Sequence, residues 1–161
     1  MLTIRPATIN DAEQKGQVHY QTWIETYTGH INQAYLDRMK PERSVEFARK
    51  YPENTLVAEL DGKIVGFACY GPSRDLTYEN HGEIIALYVL KDYQKLGIGR
   101  ALMESCLEQL KAYPHHFLWV LKSNQKAIAF YEKMGFKANG DEKELVLETP
   151  VAEIRMVALT G

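Results

Sequence analysis

The sequence predicts one mixed α/β domain whose sheet combines antiparallel hairpins with parallel crossovers. Three observations carry this. Short period-two runs rich in Val, Ile and Leu interleave with longer runs whose apolar residues recur at helical spacing. Asp61-Gly62 stands between the apolar runs TLVAEL and KIVGFACYG, the pattern of a two-residue hairpin turn. A chain of 161 residues, 45% hydrophobic and 25% charged, has room for one proper core and too little for two. Residues 1–161 are therefore expected to form a single domain.

The elements follow in order. LTIRPA alternates and reads as a first strand. The stretch from Thr8 to Gly29 offers N-cap candidates in Thr8 and Asn10, apolar residues at helical spacing, and Gly29 as a stop. PERSVEFARKY begins with proline at a favourable first-turn position and reads as a shorter helix. The hairpin comes next, then the β-rich run GEIIALYVL, a long helix from about Gly97 to Tyr113, and the short strand HFLWVL. SNQKAIAFYEKMGF reads as a helix from Ser123 or Asn124 to Met134, closed by Gly135. The final runs ELVLE and AEIRMVAL alternate like paired strands. The order is β-α-α-β-β-β-α-β-α-β-β, and a mixed sheet is its natural packing.

A net charge of −2 argues against a nucleic-acid partner held by a basic face. Cys69 and Cys106 lack metal-like spacing; Cys106 recurs with Ile98, Leu102 and Leu110 as a core position. His115-His116 has no third ligand at useful spacing, so a solvated loop before a strand is expected and no metal is indicated. No long apolar run and no signal-peptide core occur, so no membrane partner and a reducing, cytoplasmic setting are expected.

Two glycines, Gly97 and Gly99, stand where a polar loop meets the long helix. Glycine costs roughly 1 kcal/mol against alanine inside a helix, so the pair needs a reason. The first turn of a helix has backbone N–H groups with no internal partner, backed by the helix dipole, and glycine lets a phosphate approach them. A Walker loop fails because Arg100-Ala101 follows Gly99; a dinucleotide fingerprint is weak because Leu102 occupies its third small position. A tight turn without a ligand is the remaining alternative.

Gln94-Lys95-Leu96-Gly97-Ile98-Gly99 resembles the Gln/Arg-x-x-Gly-x-Gly/Ala signature of the GNAT superfamily of N-acetyltransferases. SNQKAIAFYEKMGF, with Asn124, Ala127, Phe130-Tyr131 and Gly135-Phe136, resembles that family's second acetyl-CoA segment. The element order is similar from first strand to last. The resemblance implies a central mixed sheet with splayed strands flanked by about four helices, acetyl-CoA as cosubstrate, and transfer of its acetyl group to an amine. It implies that the stretch from Gln94 through Lys95, Leu96, Gly97, Ile98, Gly99, Arg100 and Ala101 binds the cofactor, with the N–H groups of about Lys95 to Arg100 holding its pyrophosphate. It further implies that the main chain at Tyr88 and Val89 pairs with the pantetheine arm as an added strand and supplies the oxyanion donor. Asn124 would bond that arm, although an N-cap role explains it equally well. Homodimers are common in the family, and the C-terminal strands could pair across subunits.

The chemistry sets further requirements. A primary amine with a pKa near 10.4 is only about 1 part in 2,500 neutral at pH 7, a handicap of roughly 4.6 kcal/mol. A general base lifts much of it; protonating a thiolate of pKa near 8.5 is a smaller help. Tyr131 follows Phe130 as the family's acid follows its phenylalanine, and is the candidate acid; a core tyrosine is the alternative. Glu83 opens an apolar strand, where a buried carboxylate needs a reason, and some family members place a base there; a solvated strand-end residue is the alternative. On the acceptor side Trp23, Tyr27, Tyr70 and Tyr78 would supply apolar walls, and Asp75, Glu79 and Glu83 negative charge, suiting a small cationic amine. The W-x-x-x-Y-x-G run loosely resembles the polyamine-acetyltransferase branch. Core packing explains Trp23 and Tyr27 as well, because they share a helix face. A non-catalytic acyl-CoA-binding module is the alternative function.

Overall fold

Alternation and turn chemistry place the strands, and apolar stripes place the helices on them. In the computed structural model, which describes residues 1–159, β1 (Leu2–Pro6) leads through a short 3-10 turn into α1 (Ala12–Tyr27). The entry is fixed by Asp11. Its carboxylate accepts both Arg5 guanidinium nitrogens, at 2.8 and 2.9 Å, and the Thr8 N–H at 2.8 Å. The Arg5 hydrogen bonds keep it ionised down to about pH 2. Then come α2 (Gln33–Asp37), α3 (Pro41–Lys50) with proline in its first turn, β2 (Thr55–Leu60) and β3 (Lys63–Pro72). Asp61 and Gly62 have φ of 51° and 85°, the left-handed pair a tight hairpin requires. β4 (His81–Val89), α4 (Ile98–Gln109), β5 (His115–Leu121), α5 (Gln125–Lys133), β6 (Phe136–Leu147) and β7 (Thr149–Ala158) complete the chain.

The strands form one seven-stranded sheet in the order β1-β2-β3-β4-β5-β7-β6. All neighbours are antiparallel except β4 and β5. Ile98, Leu102, Met103 and Cys106 of α4 bury themselves against Leu56, Ala58, Val65, Ala68 and Ile84, and α5 packs on the same cluster through Ala127, Ile128 and Phe130. On the other face Val18 of α1 meets Val57, Ile64 and Phe67. There α1 carries Lys15, His19, Trp23 and Tyr27 at four-residue intervals, one stripe down its length. α2 and the loop before it cover Leu121 with Leu36 and Ile31.

One seam matters most for function. β4 and β5 pair in parallel only from His81↔His115 to Ile84↔Leu118. Beyond that, β4 runs on to Val89 against β3, and β5 to Leu121 against β7. The edges that face each other past the seam form no ladder.

Four expectations need amendment. The five-residue α2 is an addition to the predicted order. α4 stops at Gln109 rather than near Tyr113, because Pro114 disfavours helix before it and His116 Nε2 donates to the Leu110 carbonyl at 2.9 Å. His116 is thus a helix-end partner, not a solvated loop residue. β6 is longer than ELVLE, with an irregularity between Ala138 and Glu142. Among the described residues no helix is long and apolar enough to cross a membrane.

His19 sets a pH dependence. Burial, with Lys15 nearby, lowers its imidazole from 6.5 to about 4, and its Nδ1 has no partner among the described residues. Between those values the unfolded chain binds the proton and the folded one does not, so stability falls as pH drops through that window. The loss approaches about 3 kcal/mol near pH 4. Urea unfolding of wild type and His19→Phe between pH 7 and 4 should show this slope only in wild type.

Candidate active site

The stretch from Gln94 to Ala101 builds an amide-rich cradle. Gln94 is extended, Lys95 and Gly97 are left-handed at φ of 66° and 82°, and α4 begins at Ile98. The Ala101 N–H donates to the Gly97 carbonyl at 3.0 Å and starts the helical ladder. Ala101 is therefore not among the free donors. Among the described residues none of the amides from Lys95 through Arg100 forms a hydrogen bond. The two glycines serve different ends. Gly97 permits the left-handed cap, and a side chain there would meet open space; at Gly99 a Cβ would lie 3.3 Å from the Phe130 ring. Phe130 thus presses α5 onto the first turn of α4.

Gln94 ties this loop to its surroundings. Its Nε2 donates to the Val89 carbonyl at 3.1 Å, and Lys126 Nζ donates to its Oε1 at 2.8 Å. Leu96 is 63% exposed at the loop's crest, while the Ile98 side chain is buried, leaving only its amide for a ligand. Asn124 caps α5, its Oδ1 accepting the Ala127 N–H at 3.2 Å.

Tyr131 projects from α5, its ring 5.4 Å from Phe130 and 6.4 Å from Phe136. Burial pushes its phenol well above the ordinary value, and the Tyr27 phenol adds to the shift. Its hydroxyl forms no hydrogen bond among the described residues. Burial also raises the Tyr88 phenol well above its ordinary value, with Tyr27 and, less, Tyr131 adding to the shift. The Tyr88 hydroxyl lies 2.7 Å from that of Tyr27. The Trp23 ring stands 4.7 Å from Tyr27 and 6.5 Å from Tyr88. One aromatic wall on the α1 face of the parting results.

The other expected acceptor residues lie elsewhere. Tyr70 belongs to the core under α4, on the opposite face, because it alternates with Phe67 along β3. Tyr78 is engaged in a lock around Arg155. That guanidinium is 5% exposed and lies 3.7 Å from the Tyr78 ring, 4.5 Å from Trp119 and 4.9 Å from Phe117. It donates to Asp75 at 2.8 Å, and Asp141 Oδ2 is 3.1 Å from its Nε. The Asp75 carboxyl is held near 2, with Arg155 the main cause. The Tyr78 hydroxyl donates to Asp141 at 3.2 Å and accepts from Asn139 at 2.6 Å. Glu79 is exposed at the end of this turn.

Glu83 has a structural task. It is 2% exposed, and both its oxygens are taken by Arg74: the backbone N–H at 3.2 Å, Nε at 3.1 Å and Nη2 at 2.6 Å. This carboxylate anchors the loop after β3 through three hydrogen bonds from Arg74. The sequence reading passed over Glu153 and Arg155, although the alternation of AEIRMVAL puts both on one face of β7. A charge on the inward side of a strand was the available signal. Glu153 is half-buried, 3.7 Å from Lys143, and burial raises its carboxyl above the usual range.

A family model, the Acetyltransferase (GNAT) family, matches residues 17–136. The chain belongs to the GNAT family of acetyltransferases. This N-acetyltransferase is 33% identical, over 82% of its length and 78% of the relative's, to an uncharacterised N-acetyltransferase of Bacillus subtilis (strain 168). To a probable N-acetyltransferase of Mycobacterium tuberculosis it is 31% identical, over 86% and 82% of the two chains. Its fold matches the crystal structure of the PaiA N-acetyltransferase from Thermoplasma acidophilum in complex with coenzyme A, with a TM-score of 0.78, 21% identity and 99% of both chains covered. The cradle fits coenzyme A: free amides at a helix start suit a diphosphate, and the unladdered edge of β4 suits an extended arm.

The Arg74–Glu83 pair is testable. Arg74→Met leaves a buried carboxylate with only the residue-74 backbone N–H and should lower stability by about 1–3 kcal/mol, discounted because Arg74 is itself 60% exposed. Adding Glu83→Gln should recover part of the loss in urea unfolding.

Proposed function

We propose that this chain transfers the acetyl group of acetyl-CoA to a primary amine of a small cationic acceptor. A polyamine-like amine ranks first, an aminoglycoside-like or peptide amine next. The observation that carries the reading is the aromatic wall of Trp23, Tyr27 and Tyr88 on one side of the β4–β5 parting, with the amide cradle and Tyr131 approaching from the other. Aromatic faces attract cations, more strongly where water is displaced.

Acetyl-CoA, when bound, supplies an activated acyl group and a thiolate leaving group. The amides of Lys95 through Arg100 hold its diphosphate, helped by the dipole of α4. The edge of β4 at Tyr88 and Val89 aligns the extended arm and offers a backbone donor for a developing oxyanion. Tyr131, kept protonated by burial, gives its hydroxyl proton to the departing sulfur. The wall orients the amine opposite the thioester, which turns a bimolecular encounter into a local one.

The purified protein mixed with acetyl-CoA and a panel of amines should release free thiol. Tight coenzyme A binding without release from any amine would instead favour a non-catalytic acyl-CoA-binding module. Tyr131→Phe should lower turnover about a hundredfold, the low end for general acid catalysis given the acidity of the leaving thiol, while calorimetry gives nearly unchanged coenzyme A affinity.

A further inference from the structure

We infer that Glu153 of β7 is the carboxylate that receives the acceptor's ammonium group at the parting of β4 and β5 and takes its proton. This rests on the acetyltransferase reading above and adds the group that neutralises the amine.

Sheet register supplies the placement. β4 and β5 run in parallel with His81 opposite His115 and Ile84 opposite Leu118. Counting on from there and passing over the bulged Ile85, Leu121 stands near the level of Tyr88. Leu121 is paired with Glu153 across the antiparallel β5–β7 ladder. Directly opposed residues share a face, and Leu121 packs with Trp23, Tyr27 and Tyr35 on the α1 side. Glu153 therefore stands beside the aromatic wall, at the height of Tyr88. Glu83 lies lower, on the level of Phe117, which is four residues down β5 and about 13 Å away at ~3.3 Å per residue.

The surroundings of Glu153 suit a cation. Lys143 of β6 approaches it at 3.7 Å, too far for a hydrogen bond, and its ammonium also lies 4.3 Å from the Trp119 ring centroid. That loose partner can yield to an incoming ammonium. Tyr27 of α1 and Tyr88 of β4 feel the charge of Glu153, and Arg74 after β3 and Glu83 of β4 act on it in turn, with opposite signs. Burial raises its carboxyl above the usual range, toward the values at which a base works best near neutrality.

The proton balance is complete. The ammonium gives one proton to a Glu153 oxygen and becomes a neutral amine. Its lone pair forms the new C–N bond as the C–S bond breaks and the sulfur keeps the bonding pair. The sulfur takes the Tyr131 hydroxyl proton, and a second nitrogen proton restores the phenol. Glu153 then releases its proton to water.

Spermidine is the probe. Calorimetry on the coenzyme A-loaded protein should show spermidine binding that Glu153→Gln weakens at least tenfold, with coenzyme A affinity and melting temperature kept. With any amine that releases thiol, kcat/KM of wild type should rise through an acid limb as Glu153 ionises, and Glu153→Gln should lose that limb. Equal spermidine affinity in wild type and Glu153→Gln, no spermidine heat in wild type, or the same loss in Glu83→Gln overturns the assignment. Failure of coenzyme A itself to bind strikes the acetyltransferase reading instead, so the two failures are told apart.

Discussion

The structure turns on how briefly β4 and β5 are joined. Four residue pairs, from His81↔His115 to Ile84↔Leu118, carry the parallel ladder, and past them the two strands belong to different halves of the sheet. Backbone groups seldom go unpaired in a folded interior, so a gap in the middle of a seven-stranded sheet demands a partner or water. The helices on the α4 face and the aromatic stripe of α1 meet across this opening, and every group assigned a chemical role borders it. The cradle at the start of α4 and the wall on α1 are distant in sequence and belong together only because the sheet divides here.

Two polar anchors keep the acceptor side in shape. Arg74 clamps Glu83 and so fixes the loop after β3 to β4. Arg155 is almost wholly buried between Tyr78, Phe117 and Trp119, and binds Asp75 of the same loop to β7. A buried cation is costly unless paired, and this one is served by a carboxylate and by ring faces. Both anchors consume charges that composition alone would credit to a ligand. Of the ion-paired carboxylates on that side, Glu153 has the longest contact to its partner.

Features that depend on neighbours along the chain were legible in the sequence. The Asp61-Gly62 turn, the left-handed Gly97 before α4 and the cap at Asn124 are local chemistry, and each stands where the residues place it. Pairings across space were not. Nothing in the spacing of Arg74 and Glu83 reveals that one closes both oxygens of the other. The face of Glu83 depends on the irregularity opposite Cys69 and Tyr70, where Ile85 is passed over in the register; such a bulge resets which side chains face which layer. Tyr70 was readable in principle, since its parity with Phe67 assigns it to the α4 side.

The Tyr27–Tyr88 pair has a consequence of its own. Two hydroxyls 2.7 Å apart hold two hydrogens and share one bond, so one hydrogen is left over, along with lone pairs on both oxygens. Reversing the direction of the shared bond moves that spare hydrogen from one phenol to the other without moving a heavy atom. The wall is therefore ambidextrous: the same two rings can greet a visitor as donor at either end, and as acceptor at the other.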